Sequence, residues 1–97
     1  NRITTVIRGE YRLNNIFTLG TGADYARITR SDLREGRFFG ELDEQAARNV
    51  CVIGFDVADA LFPGESPLGK TVRIRDQNFQ VLGVVARQGS FLGLFNC

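Results

Sequence analysis

Residues 50–64, VCVIGFDVADALFPG, decide the fold of this chain. The first four of them are apolar without alternation, which is typical of a strand that is buried on both faces. Gly54 ends this strand. The apolar residues of 55–62 then recur at helical spacing with aspartates on the opposite side, and Pro63 with Gly64 stops the helix. The stretch therefore predicts a buried strand that leads directly into an amphipathic helix.

Extended segments flank this centre on both sides. Residues 3–8 are rich in β-branched side chains, which favours a strand, and residues 11–19 form a second extended stretch. Residues 71–75 alternate between apolar and polar side chains and predict a strand with one buried face. A turn at Asp76-Gln77 separates it from a last strand over residues 79–85. We expect this hairpin to fix its own register through its hydrophobic pattern.

Strict alternation assigns the apolar side chains of the last strand to two faces. We expect Phe79, Val81 and Val85 on one face, and Leu82 and Val84 on the other. This pattern predicts a strand that is covered on both sides.

The whole chain, residues 1–97, has the size of one small domain or of a piece of a larger one. Residues 29–37 predict a loop that can include a short strand, and residues 41–49 either a helix or a wide loop. Strands in runs with few helices predict an α+β fold, a small mixed or antiparallel sheet with one or two short helices. We expect five side chains in its core: Phe38, Leu61, Phe62, Phe79 and Val81.

The composition argues against several classes of function. The chain has no histidine, which removes the usual general base near neutral pH and the commonest metal ligand. Its two cysteines, Cys51 and Cys97, do not suffice for a zinc site without histidine, and the sequence leaves open whether they pair. Twelve basic and eleven acidic residues give a net charge of +1, which argues against a nucleic-acid partner. We therefore expect a protein that is not an enzyme and that needs no cofactor or metal.

Three acidic residues lie close together in the sequence, at Glu41, Asp43 and Glu44. Such a cluster can hold a hard cation, but the spacing of an EF-hand is missing. A solvated loop is the favoured interpretation, and no metal ligand is assigned here.

The last apolar segment, residues 89–95, is interrupted by glycine. The favoured interpretation is a part of the core or a strand whose neighbours lie beyond Cys97. The alternative is an exposed contact surface for a partner, with Phe91, Leu92 and Phe95 as the partner-facing residues.

Residues 64–71, GESPLGKT, match the phosphate-loop pattern G-x-x-x-x-G-K-[ST] in full. The chemistry of that loop requires a strand before it and a helix after it, so that backbone amides converge on the phosphates. Here the predicted helix comes first and the predicted strand second, and Pro67 removes one amide. We interpret the match as coincidental: Gly64 and Gly69 serve tight turns, and Lys70 begins a strand with its ammonium group in water.

Several short blocks follow one another along residues 20–89: GRFF at 36–39, VCVIG at 50–54, PLGKTV at 67–72 and FQVLGVV at 79–85. In order and spacing they resemble the extracytoplasmic core domain of MacB-like ABC transporter permeases, a more specific signal than the phosphate-loop string. Gly20 and Tyr25 precede these blocks and match as well. The family-motif positions expected to be structural are Gly36, Arg37, Phe38, Asp43, Gly54, Leu61, Phe62, Pro67, Leu68 and Gly69.

Two positions depart from the family pattern. Gly40 stands where the family often has a small hydroxyl residue, and Asp76-Gln77 replaces a frequent glycine-containing turn. The matched motif also implies that Arg37 pairs with Asp43 across the intervening loop, a pair that would contribute little if exposed to solvent.

The resemblance implies a single extracytoplasmic domain fragment, residues 1–97, of a membrane protein whose flanking membrane helices lie elsewhere. No apolar run here reaches the roughly 18–20 residues that a spanning helix needs. Such permeases have four membrane helices, with a large domain between the first and second, and work with a separate cytoplasmic ATPase subunit. The segment is then expected to be the inserted periplasmic subdomain. It would couple movement of its own membrane helices to substrate export or to the handling of lipoproteins, and a periplasmic protein would be a further partner.

Two alternatives come from other classes of protein. The first is a small nucleotide-binding module that uses residues 64–71, which the inverted order of elements disfavours. The second is a free-standing protein-interaction domain without membrane attachment. Hydrophobic helices on either side of residues 1–97 would identify a permease domain instead.

Overall fold

The computed structural model describes residues 2–19, 32–86 and 91–95. Within these ranges the chain forms a mixed sheet and two short helices. The expected α+β fold is confirmed. The elements in chain order are β1 Arg2–Arg8, β2 Tyr11–Leu19, β3 Leu33–Gly36, α1 Glu41–Gln45, β4 Val50–Gly54, α2 Phe55–Leu61, β5 Thr71–Ile74, β6 Gln77–Val85 and β7 Phe91–Phe95.

The sheet closes on itself. Its strand order is β3-β6-β4-β7-β2-β1-β5, and β5 also pairs with β6. Six strands therefore form a ring, and β3 lies beside the second half of β6. The pairs β2–β7 and β4–β6 are parallel and the remaining pairs are antiparallel. Closure pairs strand edges that would otherwise be open to other chains.

The inner face of the sheet encloses the main core. Helix α2 packs against β2, β4, β6 and β7 and buries Val57, Ala58 and Leu61 there. Its two aspartates are exposed, as the helical pattern predicts, whereas Phe55 is only half-buried and Val57 takes the core position. The core cluster comprises Val6, Ile16, Cys51, Ile53, Val57, Ala58, Leu61, Phe62, Val72, Ile74, Phe79, Val81 and Val84.

A second, smaller apolar cluster lies on the outer face of β4 and β6. It contains Val50, Val52, Leu82 and Val85, and Leu33, Phe38 and Phe39 pack against it. Phe38 is therefore not the core residue that was predicted, because it covers this outer cluster and is only partly buried. Cys51 and Ile53 belong to the inner core, so alternate residues of β4 enter different clusters. The prediction that residues 50–53 form a strand buried on both faces is therefore confirmed.

A bulge in β6 overturns the predicted assignment of its last residues. Cys51 is paired with Val81, but the next residue of β4, Val52, is paired with Gly83, so one residue of β6 is extra. Beyond the bulge the alternation is reversed. Val84, not Val85, therefore joins the inner core, and Val85 packs outside with Leu82.

The β5–β6 turn also differs by one position from the sequence prediction. Ile74 pairs directly with Gln77, so the turn consists of Arg75 and Asp76 rather than Asp76 and Gln77. Arg75 has a φ of +59°, the left-handed conformation that such two-residue turns require. The alternation of β5 is confirmed, since Val72 and Ile74 are buried and their neighbours are exposed.

The predictions about the two cysteines and about membrane-spanning helices can be compared with the structure only over the described residues. Cys51 is a free, fully buried thiol, and burial raises its pKa. Cys97 lies outside the described residues, as do Gly20 and Tyr25 of the family pattern. Among the residues that are described, neither helix has the length and apolar character needed to span a bilayer.

We predict that Leu61→Ala lowers the free energy of unfolding by about 2–4 kcal/mol, because it leaves a cavity between α2 and the sheet. Leu61 is 1% exposed. Urea unfolding of the two proteins measures the difference. The matched control on the same helix is Asp59→Ala at an exposed position, which should stay within about 0.5 kcal/mol of the parent. A Leu61→Ala cost as small as that of the control would show that α2 is placed incorrectly.

Candidate functional site

The loop that carries the GRFF block begins where the backbones of β3 and β6 touch. Gly36 has a φ of +78°, and a Cβ there would collide with the carbonyl of Leu82, so only glycine fits this position. A Cβ on Gly83 would in turn lie 2.5 Å from the carbonyl oxygen of Arg37. The N–H of Arg37 donates to the carbonyl of Leu82 at 3.0 Å. The loop therefore leaves the sheet at the β6 bulge in one defined direction.

The buried carboxylate of Asp43 fixes the rest of this loop. Arg37 binds it with both guanidinium nitrogens, Nη1 to Oδ2 at 2.8 Å and Nη2 to Oδ1 at 3.1 Å. The N–H of Gly40 donates to Oδ2 at 2.8 Å, and Nη1 of Arg48 lies 3.5 Å from Oδ1. The implied Arg37–Asp43 pair is therefore present, with the carboxylate of Asp43 buried (2% exposed) and the Arg37 side chain 53% exposed.

These contacts stabilise the charged form of Asp43. The hydrogen bonds from Arg37 lower its pKa to about 2 from an ordinary value of 3.8, against the opposing effect of burial. The Gly40 N–H and the positive charges of Arg37 and Arg48 act in the same direction as the hydrogen bonds. Reciprocally, the carboxylate raises the pKa of Arg37. A negative charge held in this way cannot serve as a proton donor near neutral pH.

Asp43 also organises both ends of α1. It is the third residue of the helix, and its side chain accepts from the N–H of Gly40 just before the helix, which is one half of a capping box. Its carbonyl accepts from the N–H of Arg48 at 3.1 Å, past Ala47 with a φ of +52°. This is the helix ending in which a left-handed residue closes the last turn. Thus α1 is held by polar bonds, and none of its residues enters the apolar clusters.

Of the three acidic residues at 41–44, Glu41 and Asp43 have described side chains, and these two point to different surroundings. Asp43 points inward to arginines, while Glu41 is exposed. Among the described residues no group of three or more histidine, cysteine, aspartate or glutamate side chains is placed to hold a metal ion.

The phosphate-loop string at residues 64–71 links α2 to β5, and several of its amides donate hydrogen bonds within the protein. The N–H of Gly69 donates to Val81 O at 2.9 Å, and the N–H of Lys70 donates to Pro67 O at 3.0 Å. The N–H of Leu68 donates to Ser66 Oγ at 3.3 Å. Because the helix precedes the loop and the strand follows it, no helix N-terminus faces these amides, and the geometry argues against a phosphate cradle.

Lys70 directly precedes strand β5, but its ammonium group contacts protein atoms as well as water. Nζ donates to Ser66 O at 2.6 Å and lies 3.2 Å from the Glu65 carboxylate. Arg8 of β1 also binds Glu65, at 3.2 Å, donates to Leu61 O at 3.0 Å and lies over the Phe62 ring. Lys70 first and Arg8 second lower the pKa of Glu65. This second cluster joins β1, the end of α2 and the start of β5.

A groove of about 200 Å³ lies beside α2, between β3 and the segment that follows the helix. Its aromatic walls are Phe55 and Phe62, and each ring already has a guanidinium over it: Arg34 at 4.3 Å and Arg8 at 4.4 Å from the ring centroids. The ring faces are therefore occupied by the protein's own cations.

The structure divides the predicted motif residues into two groups. Gly36, Arg37, Phe38 and Asp43 form the loop described above, and Leu68 reaches it, because its Cδ2 would lie 2.7 Å from a Cβ on Gly36. The others surround α2 and the segment after it: Gly54 precedes the helix, Leu61, Phe62 and Pro67 are buried, and Gly69 has a φ of +79°.

The tail forms an interior strand. The backbone of β7, Phe91–Phe95, pairs with β2 on one side and β4 on the other. The expected strand is therefore present, but the expectation that its neighbours lie beyond Cys97 is wrong, because both precede it in the chain. A partner-facing role for Phe91, Leu92 and Phe95 stays a prediction.

Sequence reasoning missed two residues that contact Asp43 and a third that binds one of them. Gly40 contributes its N–H, Arg48 contributes its guanidinium, and Arg48 Nη2 also donates to Gln80 Oε1 of β6. The spacing of Gly40 and Asp43 is the signal that could have found the first, since a small residue three positions before an acidic residue is typical of a capping box.

Comparisons with known proteins agree with this architecture. The family described as MacB-like periplasmic core domain matches residues 1–96. The pyoverdine export ATP-binding/permease protein PvdT of Pseudomonas aeruginosa is 40% identical over 74 residues, which are 76% of this chain and 11% of that protein. The macrolide export ATP-binding/permease protein MacB of Syntrophobacter fumaroxidans is 37% identical over 87 residues, 90% of this chain and 12% of that protein. The chain thus spans a small part of these relatives.

Two solved structures share the fold over nearly the whole chain. The extracellular domain of the noncanonic ABC-type transporter YknZ from Gram-positive bacteria gives a TM-score of 0.81 at 27% identity, covering 96% of this chain and 49% of that one. The periplasmic region of MacB from Actinobacillus actinomycetemcomitans gives 0.79 at 29% identity, covering 95% and 43%.

We predict that acid removes the contribution of Asp43 to stability. Because its folded pKa of about 2 is below its ordinary 3.8, that contribution is complete above about pH 4 and is lost as the pH falls toward 2. Asp43→Asn should therefore cost about 2 kcal/mol more near pH 7 than near pH 2.5, as measured by urea unfolding. The control is Asp59→Asn at an exposed position of α2. A cost of Asp43→Asn that does not change over this range would contradict the pairing.

We predict that Gly40→Ser completes the capping box and stabilises the protein. Gly40 has room for a side chain, since a Cβ would meet only Asp43 Oδ2, at 3.8 Å. The hydroxyl can accept from the N–H of Leu42, or share the N–H of Asp43, which here donates to the Gly40 carbonyl at 3.1 Å. The matched control is Gly40→Ala, which adds the Cβ without the hydroxyl. The serine variant should exceed the alanine variant by about 1 kcal/mol in free energy of unfolding. Equal stability of the two variants would show that no cap forms.

Proposed function

This chain belongs to the MacB-like periplasmic core domain family, and on that premise we propose that it is an extracytoplasmic part of the permease of an ABC-type exporter. The observation that carries the proposal is the agreement of its fold, over 96% and 95% of the chain, with the extracellular domain of YknZ and the periplasmic region of MacB. In the intact protein, the membrane helices lie outside residues 1–97, which form one fragment of the extracytoplasmic domain.

The role we propose for this fragment is mechanical rather than catalytic. A closed sheet around a packed helix moves as one body, because densely packed interiors transmit displacement instead of absorbing it. The Asp43 cluster and the Glu65 cluster add to this rigidity, since each fixes a long connection to the sheet by charged contacts. The motif residues Gly36, Arg37, Phe38 and Asp43 serve this purpose. Movement of the membrane helices is thereby coupled to export or to the handling of a periplasmic partner.

ATP hydrolysis takes place elsewhere in the exporter. The two curated relatives are named ATP-binding/permease proteins, so in them ATP binding and the permease belong to one polypeptide. For the present protein, the ATP-binding part is either such a region or a separate cytoplasmic subunit. Residues 64–71 take no part in it, because several of their amides and the Lys70 ammonium group are bound within the domain.

Site-directed labelling of the full-length protein in intact cells tests the side of the membrane. We predict that Leu42→Cys, at a side chain that is 78% exposed, reacts with a membrane-impermeant maleimide in a Cys97→Ser background. Cys51 serves as the internal control, since it is fully buried and should not react. Labelling only after the inner membrane is permeabilised would place the fragment in the cytoplasm and overturn the proposal.

The full-length protein also allows a test of whether residues 64–71 take part in ATP hydrolysis. Lys70→Ala should leave the ATPase rate of the membrane-embedded protein within about twofold of the parent, because the Lys70 ammonium group binds Glu65 and Ser66 of its own domain. Loss of hydrolysis, or saturable ATP binding that Lys70→Ala abolishes, would favour the nucleotide-binding alternative.

A further inference from the structure

Gln80 lies on β6 at the point where this strand has β4 on one edge and β5 on the other. Its backbone pairs with Val50 and with Thr71, the first residues of those two strands. Its neighbours Phe79 and Val81 belong to the inner core, so the Gln80 side chain points to the outer side of the sheet, where it is half-buried. Gln80 is thus placed between the segments that lead into β4 and into β5.

The side-chain amide of Gln80 is bound at both ends. Its Oε1 accepts a hydrogen bond from Nη2 of Arg48, which lies between α1 and β4. Its Nε2 donates to the carbonyl of Gly69 at 3.2 Å, in the connection between α2 and β5. An amide carries an acceptor and a donor on one rigid group, so it can join a cation on one side to a carbonyl on the other. The two connections are therefore bridged by a single side chain.

Each of these contacts leads to one of the two ion-pair clusters. Arg48 also lies 3.5 Å from the carboxylate of Asp43. Gly69 directly precedes Lys70, whose ammonium group lies 3.2 Å from the carboxylate of Glu65. A continuous series of polar contacts therefore runs from the Asp43 cluster, through the amide on β6, to the Glu65 cluster.

A different contact joins the α2–β5 connection to β3. Ser66 Oγ donates to Glu35 Oε1 at 2.7 Å. This bond ends on the strand that precedes the GRFF loop, rather than on Arg48 or Asp43. It therefore provides a matched comparison for the Gln80 bridge, because it starts from the same connection and leads to another place.

We propose that Gln80 is the positioning residue that couples the two clusters, so that loosening of one connection is passed to the other. Members of one hydrogen-bond network respond together, and the effects of changing them are not additive. Such coupling acts equally in both directions. The inference rests on the mechanical role proposed above, and it names the side chain through which displacement passes between α1 and the α2–β5 connection.

A role in local stability alone predicts a different behaviour. If Gln80 did no more than hold Arg48 in place, a change at Lys70 would leave α1 unaltered, whether or not the amide is present. If Gln80 couples the clusters, a change at Lys70 loosens α1, and it does so only while the amide is there. The transfer of a perturbation therefore distinguishes coupling from stabilisation.

Hydrogen exchange of the full-length protein in detergent, followed by mass spectrometry, measures this transfer. The change is Lys70→Ala, which weakens the Glu65 cluster, and the readout is the exchange rate of residues 41–49, which contain α1 and Arg48. We expect exchange there to become about fivefold faster than in the parent. In a Gln80→Met background, which removes both hydrogen bonds of the amide, Lys70→Ala should change the rate by less than about 1.5-fold.

Gln80→Glu separates the two ends of the bridge. It keeps an acceptor for Arg48 but turns a carboxylate oxygen toward the carbonyl of Gly69, to which it cannot donate. Residues 41–49 should then exchange within about twofold of the parent, while their response to Lys70→Ala is lost. A response that persists in this variant would contradict the coupling.

Two controls make the test specific. Ser66→Ala removes the bond to β3 and should leave the response to Lys70→Ala unchanged. Arg73→Met breaks an exposed ion pair elsewhere on β5 and should leave the exchange of residues 41–49 unchanged. Exchange of residues 50–54 in β4 is the reference for global stability, since these residues are buried.

Several results would overturn the proposal. They are no response to Lys70→Ala in the parent, an equal response in the Gln80→Met background, a response that Ser66→Ala abolishes, or an equal acceleration in residues 50–54. If Leu42→Cys labels from outside and Lys70→Ala retains ATPase activity while the response is absent, the Gln80 bridge alone is wrong and the exporter role stands.

Discussion

The carboxylate of Asp43 is the constraint on which the outer half of this domain depends. Removing a charged carboxylate from water costs several kcal/mol unless bonds replace its hydration. Here two guanidinium bonds from Arg37 and the N–H of Gly40 replace it, with Arg48 nearby. Because these donors come from both sides of α1, satisfying the charge also fixes the loop that carries Phe38 and Phe39 over the outer cluster.

The remainder of the domain is constrained in a similar way. Helix α2 packs against four strands of the ring. The connection from α2 to β5 is held by Glu65, which binds both Arg8 and Lys70. Apolar packing therefore fixes the strands and α2, and ion pairs fix the connections between them. A domain with its connections fixed suits the transmission of movement, the role proposed for it in an exporter.

Local sequence patterns were sufficient to predict part of this fold. The unbroken apolar run at β4 and the alternation of β5 predicted their burial because each pattern is read from one strand alone. The reversal at Val84 and Val85 could not be predicted, since a bulge depends on the register with β4 and β3. Closure of the sheet through β5 and β6 likewise depends on pairing with β1, which is distant in sequence.

The candidate site, too, could be predicted from the sequence only in part. Its motif residues could be found from the sequence, but the burial of Asp43 could not, because it results from the fit of Gly36 and Gly83 that turns the loop onto the sheet. An acidic residue between Glu41 and Glu44 otherwise indicates a solvated segment. A double-mutant cycle on the free energy of unfolding, with Arg37→Met and Asp43→Asn separately and together, tests the central claim most directly. We expect a coupling energy of about 2–3 kcal/mol, as for a buried charged hydrogen bond. A value below about 0.5 kcal/mol, as for an exposed ion pair, would contradict it.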